Sequence, residues 1–155
     1  MFETIVMRAV GHVRGGRSKP VDDGWDTVTA QIELDAAQFQ PDAVAALDSF
    51  SHIEVIFHFD QAPPECVNTG ARHPRGNTAW PKVGIFAQRG KDRPNRAGVT
   101  VCRLLSVNGL SLSVQGLDAI DGTPVLDIKP FMRGFLPRGE IREPEWAGEL
   151  MREYW

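Results

Sequence analysis

An asparagine–glycine pair between two strand-like segments constrains the fold more than any other feature of this sequence. Residues 99–107 and 110–114 are rich in valine and leucine, and Asn108-Gly109 separates them. Asn-Gly tolerates the two positive φ angles of a type I′ turn, so the sequence predicts a tight antiparallel hairpin. One polar segment precedes the hairpin and another follows it. Because the two open ends of a hairpin lie side by side, we expect these segments to form one site.

The other strand-like segments are short, and the sequence shows no regular alternation of strands and helices. Residues 4–13 predict a first strand, and residues 27–34 alternate apolar and polar side chains as a half-buried strand does. Residues 50–59 are largely apolar, which predicts a strand buried on both faces. Residues 61–82 are rich in proline, glycine and asparagine and predict a long irregular connection.

Two segments predict helices. Residues 41–47 begin with Pro41, which suits the first position of a short helix. Residues 138–155 predict a mostly helical tail that starts near Pro144 and carries one apolar stripe, formed by Trp146, Leu150 and Tyr154. The stripe suits packing over a sheet edge or barrel mouth, or a dimer contact. The whole pattern predicts a mainly β fold, an antiparallel β-barrel or sandwich with a short helix and a C-terminal helix.

Composition narrows the class of protein. A chain of 155 residues predicts one domain, and no apolar run is long enough to span a membrane. The first residues lack a signal-peptide pattern, and the two cysteines, Cys66 and Cys102, have no metal-binding spacing, so we expect a reduced, cytoplasmic protein. The net charge is −3, yet residues 66–117 hold eight basic residues and one acidic residue. This basic region suits a phosphate-bearing partner, or its arginines pair with acids of the flanking segments.

The two polar segments carry the candidate binding groups. Residues 84–98 place Arg89 and Arg93 four positions apart, and such a loop can present guanidinium and backbone N–H groups to a carboxylate or phosphate. Taken alone, the composition of residues 84–98 is equally consistent with a solvent-exposed basic turn that has no binding role. Residues 117–130 contain Asp118, which can accept from hydroxyl or amino groups, and the pair Asp127 and Lys129, which suits a site or a structural ion pair. Asp121-Gly122 predicts a turn.

Other chemistries have little support. His52 and His58 lie on one face of a regular strand, but nothing supplies a third metal ligand, so we expect no metal site. The sequence contains no Gly-x-Gly-x-x-Gly, P-loop, Gly-x-Ser-x-Gly or zinc-protease pattern.

Taken together, the motifs resemble the TsaA-like domain of TrmO-type proteins from about Arg8 to Met132. The resemblance is carried, in order, by Phe50-Ser51-His52, by Gly84-Ile85-Phe86-Ala87 with Arg89 and Arg93-Pro94-Asn95, and by Asp118 with residues 121–131. It implies a β-barrel domain over residues 1–136, with a helical tail over residues 137–155 packed on the barrel or at a dimer interface. It also implies a cytoplasmic homodimer that binds S-adenosylmethionine and methylates N6 of threonylcarbamoyladenosine beside the tRNA anticodon.

The resemblance also implies site residues. Cofactor contacts are expected at Phe59, Asp60, Phe86, Arg89, Arg93, Pro94, Asn95, Gly116, Leu117, Asp118 and Ala119. Candidate proton acceptors or catalytic residues are His52, Asp118 and Asp127, among which the sequence does not choose. We expect the basic region 66–117 to contact tRNA.

Three departures from the family pattern bear on function. The usual Asn-Pro-Ile-Gly stands here as Asn95-Arg96-Ala97-Gly98, a tyrosine after Lys-Pro is Phe131, and a short tail replaces the C-terminal domain of longer bacterial members. Two alternatives therefore remain open: a non-catalytic S-adenosylmethionine-binding module, and a methyltransferase that acts on a small molecule.

Overall fold

Six antiparallel strands close into a barrel in the computed structural model, which describes residues 2–155. Residues 2–155 form eight strands in all: β1 (Gly11–Arg14), β2 (Thr29–Leu34), β3 (His52–His58), β4 (Ala71–Arg72), β5 (Val83–Gly84), β6 (Ala97–Asn108), β7 (Ser111–Gln115) and β8 (Pro124–Pro130). The barrel order is β1-β2-β7-β6-β3-β8, and β4 pairs only with β5. The predicted mainly β barrel is confirmed. Met1, the first residue of the predicted domain 1–136, lies outside the described residues.

Helical structure is limited to short pieces. The one α-helix of the described residues, α1 (Glu145–Met151), follows Pro144 as predicted. Single 3-10 turns lie at Pro41–Val44, Leu47–Ser49, Pro64–Cys66, Pro74–Gly76, Ile85–Ala87, Pro94–Arg96 and Arg133–Phe135. Among residues 2–155, no helix has the length and apolar character that a membrane crossing requires.

The barrel interior is filled by alternate side chains of its strands. On β3, Ile53, Val55 and Phe57 are buried, whereas the residues between them are only partly covered. The predicted burial of this segment on both faces is therefore wrong, because only one face of a barrel strand meets the core. The core cluster comprises Val13, Ala30, Ile32, Ile53, Val55, Phe57, Cys102, Leu112, Val114, Leu117, Ala119 and Val125.

The central hairpin forms as predicted, but its turn lies one residue later. Asn108 still pairs with Ser111, so the two turn residues are Gly109 and Leu110. Of these only Gly109 has a positive φ, 58°, which matches the first position of a type II′ turn rather than the predicted type I′ turn. The hairpin still closes with a two-residue turn, because glycine adopts the positive φ of the first position in either a type I′ or a type II′ turn at little cost.

Three predicted elements are shorter than expected. The predicted strand 4–13 is reduced to β1, and residues 2–10 form no strand. The predicted helix 41–47 is a 3-10 turn, since Ala46 has a φ of 62° and cannot continue a helix. Residues 138–144 are not helical, because Gly139 has a φ of 85°.

Gly98 is required by close packing inside the barrel. A Cβ atom at this position would lie 2.5 Å from the ring of Phe57, which is only 1% exposed. We expect Gly98→Ala to lower the free energy of unfolding by about 1–3 kcal/mol, the usual cost of overpacking a core.

Chemical denaturation would measure this change, with Gly84→Ala as the matched control. Gly84 has a φ of −60° and no neighbouring atom within 4 Å of an added Cβ, so its substitution should be neutral or slightly stabilising. Equal midpoints for both variants would contradict the packing argument.

Candidate functional site at the open end of the hairpin

The two polar loops meet at neighbouring residues of β6. Arg89 donates from Nη2 to the backbone oxygen of Val99 at 2.9 Å. The next residue, Thr100, donates from its hydroxyl to the carboxylate of Asp118. The structure thus brings the arginine loop before β6 and the aspartate loop after β7 to one end of the barrel.

Buried hydrogen bonds hold the arginine loop in shape. Gln88 is 9% exposed and donates to Arg72 O at 3.1 Å and to Val83 O at 2.9 Å. Arg93 in turn donates to Gln88 O at 2.7 Å, so its guanidinium stabilises the conformation of the loop. Arg89 and Phe86, by contrast, are exposed. Of the two arginines predicted to contact the cofactor, Arg89 is therefore the solvent-exposed one.

The segment after β3 borders the same loop. Phe59 donates its N–H to Arg96 O at 2.8 Å, and its ring meets that of Phe57 edge-on at 5.2 Å. Asp60 follows as an exposed residue. On the other side of this contact, Pro94 and Asn95 begin the 3-10 turn in which Asn95 has a φ of 62°.

Backbone geometry fixes the position of Asp118. Gly116 has a φ of 80° and donates its N–H to Val28 O at 2.9 Å, which turns the chain away from β7. Leu117 is 1% exposed and Ala119 is 4% exposed, so both anchor in the barrel core. Asp118 lies between them with its carboxylate half-buried. Its two oxygens accept from Thr100 and from the hydroxyl of Tyr154.

Tyr154 is a site neighbour that the sequence did not reveal. The apolar stripe predicted that this residue packs on the barrel, but periodicity carries no information about the partner of its hydroxyl. Burial, together with the negative charge of Asp118, raises the pKa of Tyr154 above its usual range. Its hydroxyl therefore stays protonated at neutral pH and acts as a donor.

In residues 2–155, the side chains of His52 and Asp127 bond to other partners and not to this cluster. His52 pairs with Arg103 and faces outward from β3, where Nδ1 lies 2.8 Å from Ser51 Oγ. Asp127 binds Lys129 Nζ at 2.5 Å, which matches the structural ion pair considered for these residues. Thr100, which donates to Asp118, is on the buried face of β6 instead. Of the three candidate catalytic residues, Asp118 alone is thus part of the cluster at the hairpin end, within residues 2–155.

The basic region is partly neutralised by acids. Arg72 pairs with Asp92 at 2.9 Å, and Lys91 lies 3.5 Å from the same carboxylate. Arg75 pairs with Asp23 at 2.8 Å. Within the described part of the chain, five basic residues of this region have no ion pair: Lys82, Arg89, Arg93, Arg96 and Arg103. Of these pairs, only the one between Arg75 and Asp23 involves an acid of a flanking segment, because Asp92 belongs to the basic region itself. The predicted pairing with flanking acids therefore holds for Arg75.

Fold and site define a class, a small closed antiparallel barrel with a polar site where the two ends of its central hairpin meet. The sequence model of the tRNA-methyltransferase O N-terminal domain family matches residues 18–135. The chain belongs to this family.

Individual relatives agree with this assignment. A tRNA (adenine(37)-N6)-methyltransferase of Escherichia coli is 36% identical over 111 residues, which are 68% of this chain and 46% of the relative. An Archaeoglobus fulgidus protein named "Probable S-adenosyl-L-methionine-binding protein" is 34% identical over 131 residues, 82% of this chain and 34% of the relative. The crystal structure of TrmO from Pseudomonas aeruginosa superposes with a TM-score of 0.71 at 27% identity, over 89% of this chain and 61% of that one. The chain thus spans less than half the length of these two curated relatives.

The two cysteines should differ sharply in reactivity. Burial, together with the charge of Asp118, raises the pKa of Cys102 to about 12, whereas Cys66 is exposed. Because the thiolate is the reactive form, we expect one thiol of the folded protein to react rapidly with Ellman's reagent at pH 8.

Both thiols should react once the protein is unfolded in guanidinium. A Cys66→Ser variant should show almost no rapid reaction in the folded state. Rapid modification of that variant would contradict the burial of Cys102 beneath the site.

Proposed function

We propose that this protein is an S-adenosylmethionine-dependent methyltransferase that acts on N6 of threonylcarbamoylated adenosine 37 in tRNA. The observation that carries the proposal is the meeting of the Arg89 loop and Asp118 on adjacent residues of β6 in a chain of this family. The names of the relatives from Escherichia coli and Archaeoglobus fulgidus support the reaction and the cofactor, respectively.

The groups at the site fit the chemistry of the cofactor. Arg89 makes one hydrogen bond within residues 2–155, which leaves guanidinium donors for a carboxylate. Each oxygen of Asp118 accepts one internal hydrogen bond, so the carboxylate keeps acceptor capacity for ribose hydroxyls or an ammonium group. The ring of Phe86 is 82% exposed and offers a flat apolar surface to an adenine.

We assign roles to the residues of the chain on this basis. S-adenosylmethionine supplies an electrophilic methyl group when bound. Arg89 binds the carboxylate of the methionyl part, and Asp118 orients hydroxyl or amino groups of the ligand. The acceptor nitrogen loses a proton in the reaction, and Asp118 is the candidate proton acceptor at the hairpin end. Catalysis then depends mainly on positioning, since methyl transfer requires an in-line approach.

The tRNA contact is assigned to the basic region 66–117. The five basic residues that lack an ion pair in the described structure supply positive charge in this region although the chain as a whole is acidic. A homodimer in the cytoplasm, as the family resemblance implies, is part of the same proposal, and sedimentation of the purified protein would test the dimer.

We expect Arg89→Ala to weaken the binding of S-adenosylmethionine by roughly 10- to 100-fold. A hydrogen bond to a charged group contributes about 1.5–3 kcal/mol, which corresponds to a change of this size. Isothermal titration calorimetry would measure the dissociation constant. The control is Arg103→Ala, which removes an exposed arginine from the outer face of the same strand. Equal loss in both variants would contradict the role of Arg89.

The reaction itself is tested in cells. Mass analysis of tRNA nucleosides from a deletion strain should show loss of the N6-methylated, threonylcarbamoylated adenosine. The wild-type gene should restore it, and Arg89→Ala should restore much less.

Two results would redirect the proposal. Unchanged tRNA nucleosides together with tight cofactor binding would favour a non-catalytic binding module. Methyl transfer by the purified protein to a small molecule but not to tRNA would favour the other alternative.

A further inference from the structure

A residue outside the family-matched segment completes the hydrogen bonding of Asp118. The family match ends at residue 135, yet the hydroxyl of Tyr154 donates to one carboxylate oxygen of Asp118. The other oxygen accepts from Thr100, which is 6% exposed on β6. Two donors from distant parts of the sequence therefore hold one carboxylate.

Hydrogen bonds hold the tail at Tyr154 and at residues before it. Trp25 and Gly24 donate their backbone N–H groups to the oxygens of Tyr154 and Glu153, each at 2.8 Å. Farther back, Glu149 accepts from Trp80 Nε1 at 2.6 Å. Because these contacts fix the backbone of the tail, the phenol reaches Asp118 from a set position.

Burial and the charge of Asp118 raise the pKa of Tyr154, and the nearby Arg89 and Arg75 oppose this shift without reversing it. The guanidinium of Arg75 lies 5.9 Å from the centre of the Tyr154 ring and is itself held by Asp23. Burial keeps the phenol protonated, so its hydroxyl can only donate toward the carboxylate. A carboxylate held by two fixed donors loses little conformational entropy when a ligand binds it.

We propose that Tyr154 is a positioning residue of the cofactor site, whose hydroxyl orients the Asp118 carboxylate toward the hydroxyl or amino groups of S-adenosylmethionine. The inference rests on the proposed function of the site and extends it to the segment 145–155. It assigns to this segment a role in ligand binding beyond covering the barrel. Tyr154 acts through Asp118 and does not itself touch the reacting atoms.

The test compares Tyr154→Phe with Trp155→Phe in calorimetric titrations with S-adenosylmethionine. Tyr154→Phe removes one oxygen and keeps the ring, and we expect roughly 5- to 20-fold weaker binding, because the carboxylate loses one of the two donors that hold its direction before the ligand binds. Trp155 packs edge-on against Tyr154 at 4.9 Å, and its replacement keeps the phenol, so the dissociation constant should change less than twofold.

A double-mutant cycle with Asp118→Asn identifies the pathway of the effect. If the phenol acts through the carboxylate, Tyr154→Phe should have little further effect on binding in the Asp118→Asn background. Full additivity of the two losses would overturn the proposal. Tighter binding by Tyr154→Phe would also overturn it, because the phenol would then be competing with the ligand for Asp118.

Tyr154 is the only tyrosine in the sequence, which allows an independent readout. Uniform labelling with 3-fluorotyrosine gives a single fluorine resonance. We expect this resonance to shift in Asp118→Asn and on saturation with S-adenosylmethionine, and to stay in place in Arg103→Ala. A fluorine chemical shift that changes neither in Asp118→Asn nor on addition of the cofactor would refute the contact between Tyr154 and Asp118.

The results also separate this inference from the proposed function. If the wild-type protein does not bind S-adenosylmethionine, the proposed function fails and the inference fails with it. If the wild type binds and Tyr154→Phe binds equally well, the inference alone fails.

Discussion

Pairing of β6 with both of its neighbours is the interaction on which the rest of the structure depends. The strand pairs with β3 through residues 97–103 and with β7 through residues 103–108. The first half of β6 thus extends past the end of β7 and leaves room there for other groups. Both polar loops bond to this extension, at Val99 and Thr100, so the site is a direct result of unequal strand lengths in one hairpin.

The site differs from a pocket lined by one continuous segment. Asp118 is held by a strand residue on one side and by a tail residue on the other, while the backbone around it anchors in the core through Leu117 and Ala119. The polar group is therefore fixed by apolar neighbours, and its direction is fixed by hydrogen bonds. Because apolar neighbours anchor the backbone and hydrogen bonds orient the carboxylate, this small barrel holds a charged group near its core while the core itself stays buried.

Local patterns in the sequence predicted the features that local physics decides. The hairpin followed from Asn108-Gly109 and the flanking strands, and the closeness of the two polar loops followed from the hairpin. The predicted strand 4–13 failed for a non-local reason, since β propensity needs a partner strand and the register that pairs β1 with β2 and β8 begins only at Gly11. Tyr154 was likewise found only as part of an apolar stripe. Its hydrogen bond to Asp118 spans 36 positions, and no periodic pattern encodes such a contact.

The ties between the tail and the loop before β2 have a consequence for comparing or recombining family members. A fragment cut after residue 135 would lose the acceptors for the N–H groups of Gly24 and Trp25, as well as one of the two donors to Asp118. Chimaeras that exchange only the family-matched segment would therefore join a barrel and a tail that were not paired in the parent proteins, directly beside the site. In this chain, the smallest unit that can be transplanted intact is the barrel together with its last eleven residues.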